Sequence, residues 1–213
     1  MNSSKKPQDA NAGFTLVETM MAVLILTIVV GGIFSQINRA QTNYRVEGQK
    51  LDFTQQQREF IDQFTRDLHQ AGYPTPASLG LPATATGNSI ALGLTSISLD
   101  SLTMEGDLDG TGVQVVTYDY NQATSSLERT VGPKGGVAGP TLAAVQNVLD
   151  PGTAGVFTAY DVNGNVVNLN PAPLPLSQIK SVRITFTLQG GREVNGATQI
   201  QTTMTGMARL PNF

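Results

Sequence analysis

The sequence has no cysteine and a single histidine, His69. Without a thiol there is no thiolate nucleophile, no disulfide staple and no cysteine zinc site. With one imidazole, most metal sites and most histidine-dependent acid–base schemes are excluded too. Tryptophan is absent, and charged residues form only 14% of the chain, against about a quarter in ordinary soluble domains. The formal net charge of -3 leaves no basic surplus to hold nucleic acid. What the 213 residues do contain is 22 glycines, 11 prolines and 40% hydrophobic residues. That mixture, rich in Thr, Ser, Asn and Val, predicts a β-rich body with many turns, sized as one domain plus an appendage.

The appendage is at the start. Residues 14–34 read FTLVETMMAVLILTIVVGGIF, with one charge, Glu18. About 20 apolar residues at ~1.5 Å rise each span a hydrocarbon core of ~30 Å, so a membrane-inserted helix is expected. The polar stretch MNSSKKPQDANAG precedes it, and Lys5 and Lys6 favour retention of that stretch in the cytoplasm. A secretory signal peptide has a shorter apolar core followed by a small-x-small cleavage site. Here the run is longer, and only Val30-Gly31-Gly32 offers such a site. An ionised carboxylate in a bilayer costs ~2.5–3.5 kcal/mol on insertion scales, so Glu18 is either functional or seated near the headgroups.

Gly13-Phe14-Thr15-Leu16-Val17-Glu18 followed by an apolar run resembles the class III signal of type IV pilins and type II secretion pseudopilins. The resemblance implies that a prepilin peptidase, which is also the methyltransferase, cuts between Gly13 and Phe14 and methylates the new amine of Phe14. It implies that the uncut helix becomes filament core, and that Glu18 pairs with the amine of a neighbouring subunit. Cleavage would set a cation one helical turn from Glu18, and a buried carboxylate needs such a partner. The remainder resembles PilW-type minor pilins in three stretches: QREFIDQFTRDLHQAGY at 57–73, LDGTGVQVVTYDYN with LERT, and the final run from Ile179. The J-type pseudopilins share that plan. The family implies a minor subunit that helps initiate pilus assembly with other minor and major pilins. It also implies an inner-membrane protein with a periplasmic C-terminal domain, later part of a pilus or pseudopilus. Two alternatives stand beside it, a type II secretion minor pseudopilin and a membrane-anchored binding domain that never assembles.

The helix is expected to continue beyond the membrane, because residues 36–71 lack proline and are rich in Gln, Arg, Glu, Lys and Leu. Phe53, Phe60, Ile61, Phe64, Leu68 and Ala71 recur at steps of three, four and seven, which is one apolar face. Gly72-Tyr73-Pro74 should stop it. Strands are expected near 89–94, 97–103, 113–120, 126–131, 156–161, 179–188 and 198–209, with a hairpin turning at Gly190-Gly191. Residues 74–88 and 132–155 read as loops, and Pro171, Pro173 and Pro175 as a stiff connection. The predicted fold is α+β, a long N-terminal helix packed on a C-terminal antiparallel sheet. Its parts are a leader at 1–13, an assembly helix at 14–35, an amphipathic extension at 36–72 and a β-rich domain at 73–213.

Outside the leader, candidate chemistry is sparse. Glu105, Asp107 and Asp109 followed by Gly110 resemble the opening of an EF-hand loop, which would take Ca²⁺. The twelfth position is Val116, where a bidentate Glu belongs, and Asp and Gly also build plain turns. A short calcium loop and a simple turn both stay open. His69 lies beside Arg66, Asp67 and Gln70 without a second histidine or a triad pattern, which predicts a surface role. Nothing in the spacing of Asp100, Asp119 and Asp161 supports a glycosidase pair. No catalytic residue and no other cofactor is expected.

Overall fold

The computed structural model describes residues 14–169, 176–190 and 200–210. The expected leader, the proline-rich connection through Pro171, Pro173 and Pro175 and the turn residue Gly191 lie outside the described residues. The chain divides into two compact units, Met1–Arg45 and Val46–Phe213.

In the first unit a helix, α1, begins at Leu16 and runs on to Gln70 in the second, 55 residues in all. From Leu16 to Phe34 its large apolar side chains are exposed. In the second unit the same helix has a buried face. Phe60, Phe64 and Leu68 are at most 3% exposed, Ala71 is buried, and Phe53 and Ile61 pack against the core. Burial of one such large side chain is worth roughly 1.5–3 kcal/mol, so this face contributes strongly to holding the helix on the sheets. The helix ends where glycine allows it: Gly72 has φ +79°, and the Tyr73 N–H returns to the Gln70 carbonyl at 3.1 Å.

Nine strands follow among the described residues. β1 (Gly93–Ile97), β2 (Ser101–Gly106), β3 (Gln114–Asn121), β4 (Ser126–Pro133) and β5 (Thr141–Gln146) form an antiparallel sheet in chain order. β6 (Phe157–Tyr160), β7 (Val166–Val167), β8 (Ser181–Gly190) and β9 (Ile200–Arg209) form a second sheet, ordered β7-β6-β8-β9. A bridge between Val148 and Leu188 links the two. The fold is therefore α+β as expected, with two sheets in place of one. The alternation Val182, Ile184, Phe186, Leu188 lies inside, as read from the sequence.

Three local expectations are corrected. The first strand starts at Gly93, because Ile90 and Ala91 are buried in a loop that hydrogen-bonds to Pro74 and Lys134 instead of pairing as a strand. The run at 97–103 is broken by a turn in which the Ser98 hydroxyl accepts the N–H groups of Asp100 and Ser101. And 141–146, expected as loop, is strand β5; its side chains are exposed except Val145, so no period-two pattern marks it.

Three glycines meet the helix. A Cβ on Gly106 would lie 2.7 Å from the Gln70 carbonyl oxygen, one on Gly206 would lie 2.7 Å from Ile61, and one on Gly190 would strike the Phe53 ring. Each bare backbone position is a notch for one point on the helix.

Candidate functional site

The residues singled out from the sequence fall at separate places. Gly13 is outside the described residues. Phe14 is 84% exposed, and Glu18 is exposed one turn further on. Thr15 starts the helix. Its hydroxyl oxygen accepts the Glu18 N–H at 3.3 Å, and its carbonyl accepts the Thr19 N–H at 3.1 Å and the Thr19 hydroxyl at 3.2 Å. This is half of a capping box, and the T-x-x-E spacing just before an apolar run is the signal that identifies it. Thr15 thus fixes the helix start three residues from Glu18. Among the described residues Glu18 makes no ion pair.

On either side of Glu18 along the chain the helix presents a shallow apolar groove lined by Leu16, Thr19, Met20, Val23, Leu24, Thr27 and Ile28. The Thr27 hydroxyl donates to the Val23 carbonyl at 2.8 Å, so its hydrogen bond is met inside the helix and its methyl adds to the apolar surface. By length and composition this helix can cross a membrane.

The EF-hand-like residues are not brought together. The Glu105 carboxylate pairs with the Lys134 ammonium at 2.7 Å and accepts the Leu92 N–H at 2.9 Å. Asp107 accepts the N–H groups of Gly110 and Gly112 at 2.8 and 3.4 Å. Asp109 accepts the hydroxyl of Thr111 at 2.6 Å, its N–H at 2.9 Å and the Gln114 amide at 2.8 Å. The Thr111 side chain, the Thr111 N–H and Gln114, in that order, hold the Asp109 carboxyl below its ordinary range. Among the described residues no group of three or more His, Asp or Glu side chains gathers as a metal would require. His69 is exposed on the helix.

One polar cluster has no counterpart in the sequence reading. Asp67, on the helix face between Phe64 and Leu68, is 2% exposed. Its Oδ2 receives the Arg129 guanidinium through Nε and a terminal nitrogen, both at 2.8 Å, and the Tyr118 hydroxyl at 2.6 Å. Its Oδ1 receives the Gln63 amide at 2.6 Å. Tyr118 and Arg129 are directly opposed on β3 and β4. Burial first, then the Asp67 charge, pushes the Tyr118 hydroxyl well above the ordinary phenol range. Burial alone would lower the Arg129 guanidinium, but Asp67 and Tyr118 outweigh it and the net direction is upward. The cluster clamps the helix to the first sheet with every acceptor of the carboxylate in use. Asp100 is the converse. It is half-buried, its Oδ1 lacks a hydrogen-bond partner among the described residues, and burial, then Asp150, then Asp119 raise its carboxyl above the ordinary value.

Residues 9–34 match the prokaryotic N-terminal methylation motif. No curated protein and no solved structure matches the chain. The motif and the apolar helix behind it support a type IV pilin-like or pseudopilin-like protein, anchored in a membrane and structural in role.

Proposed function

From the methylation motif and the exposed apolar helix that follows it, we propose that this chain is a minor pilin of the PilW type. It is cut between Gly13 and Phe14, methylated on the new Phe14 amine and built into a type IV pilus, where it helps to start assembly. The observation that carries this reading is Glu18, the one charge in the apolar stretch 14–34, with no cation beside it among the described residues. A lone carboxylate in a dry environment is costly, and a cationic chain end from a neighbour removes that cost. Methylation keeps the charge, so the pair survives processing. The axial position of each incoming subunit would then be set where amine meets carboxylate, while the groove from Leu16 to Ile28 receives a neighbouring helix by van der Waals packing.

Intact mass spectrometry of the membrane-extracted protein tests the processing step. A chain that begins at N-methylated Phe14 is expected, and one that begins at Met1 in a piliated cell refutes it. Glu18→Ala tests assembly: pilus number should collapse while the protein stays in the membrane, and normal piliation would remove the basis of the proposal.

A further inference from the structure

We propose that the outer edge of β9 docks an extended peptide segment of a partner protein, one that carries a carboxylate facing Arg209. Among the described residues no strand pairs with this edge. The Leu210 N–H bonds to the Lys180 carbonyl at 2.9 Å, and the register then pairs Ala208 with Val182, Gly206 with Ile184 and Met204 with Phe186. The even residues of β9 therefore bond to β8, and Gln201, Thr203, Thr205, Met207 and Arg209 turn their N–H and C=O groups outward. On its other flank β8 is occupied, by Val156 at Thr185, Leu149 at Thr187 and Asn147 at Gln189.

The other edges are blunted. β7 has two residues, and register shifts interrupt the pairing of both β1 and β5. β9 has ten residues in unbroken register and no Lys, Pro or acidic residue from Ile200 to Ala208, the features that natural edges use to repel strands. Strand addition is the recognition mode such an edge serves.

Charge and space choose the occupant. Residues 176–190 and 200–210 carry Lys180, Arg183 and Arg209 and no acidic residue, in a chain of net charge -3. Arg183 is stacked over the Tyr160 ring, whereas Arg209 makes no ion pair among the described residues. A second copy fits poorly. The helix lies directly over β9, with Ile61 at Gly206 and the Gln57 amide on the Thr202 carbonyl. Strands ~4.8 Å apart would force two such helices inside their packing distance of ~8–10 Å.

The test uses the full chain in detergent micelles and a labelled synthetic peptide, Glu-Val-Thr-Val-Thr-Val-Thr, read by fluorescence anisotropy. Saturable binding is expected, about tenfold weaker when the Glu is Lys and lost when the central Val is Pro. Thr205→Pro removes an outward N–H and leaves the β8 ladder intact, so it should abolish binding. Met207→Glu, at an exposed site, should weaken it without disturbing the fold. The proposal is overturned by the failure of every peptide to bind, by binding that survives Thr205→Pro, or by a chain that dimerises through this edge on its own.

Discussion

Replacement of Asp67 by alanine would leave the Arg129 guanidinium and the Tyr118 hydroxyl facing each other without the carboxylate that receives both. Loss of one partner of a buried ion pair costs roughly 3–5 kcal/mol, because the remaining charge stays desolvated. Arg129 retains 23% side-chain exposure, so water can partly reclaim it and the low end applies. The expected loss is about 3 kcal/mol, a large share of the stability of a typical domain. Arg129→Met should cost at least as much, since it strands a carboxylate that is itself 2% exposed. The double variant Asp67→Leu with Arg129→Met removes both charges and should recover much of the loss, as buried pairs replaced by apolar groups often do. Urea unfolding of the full chain in micelles, followed by circular dichroism, reads all three. A single-variant loss below about 1 kcal/mol, or strict additivity in the double, would show that the cluster is not the clamp described.

Three further outcomes follow from the same geometry. Tyr118→Phe should cost about 1.5–3 kcal/mol near neutral pH, the worth of a hydrogen bond to a charged group. Because folding raises the Tyr118 value above the ordinary 10.0, native stability is complete below that pH and falls as pH rises beyond it; unfolding midpoints of the Phe variant should fall less steeply there. Asp100 is also raised, from 3.8, so its contribution is favourable only in acid and is lost as pH rises through the folded value. Asp100→Asn should therefore raise the thermal midpoint at neutral pH, and the gain should vanish as pH approaches 3.8. At the 107–112 loop, the hydrogen bonds of Asp107 predict that Asp107→Ala lowers the thermal midpoint equally with and without calcium. A calcium-dependent rise in the parent chain that the variant loses would instead establish a calcium loop.

The helix was legible because its signal is local. Phe53, Phe60, Ile61, Phe64 and Leu68 repeat at the helical period, and Gly72 with Pro74 marks the stop. The hairpin strands β8 and β9 were legible for the same reason at period two. Asp67 was not, because a charged residue on an apolar face reads as a solvated edge until its partners are known. Those partners, Tyr118 and Arg129, lie 51 and 62 residues away and are joined only by the β3–β4 register. Thr15 was within reach, since Thr15 and Glu18 spell a capping box, but the apolar run dominated that region. Strand β5 fell outside any pattern, because a strand exposed on both faces has no alternation to display.

The three glycine notches have a mechanical meaning. Phe53, Ile61 and Gln70 sit in Gly190, Gly206 and Gly106, at points spread over about 25 Å of helix at ~1.5 Å per residue. A slip by one turn would take all three out of their seats at once and drive side chains into backbone. Axial force on residues 53–70 of α1 is therefore borne as by a three-toothed key in its lock, which holds its seat until every tooth gives together.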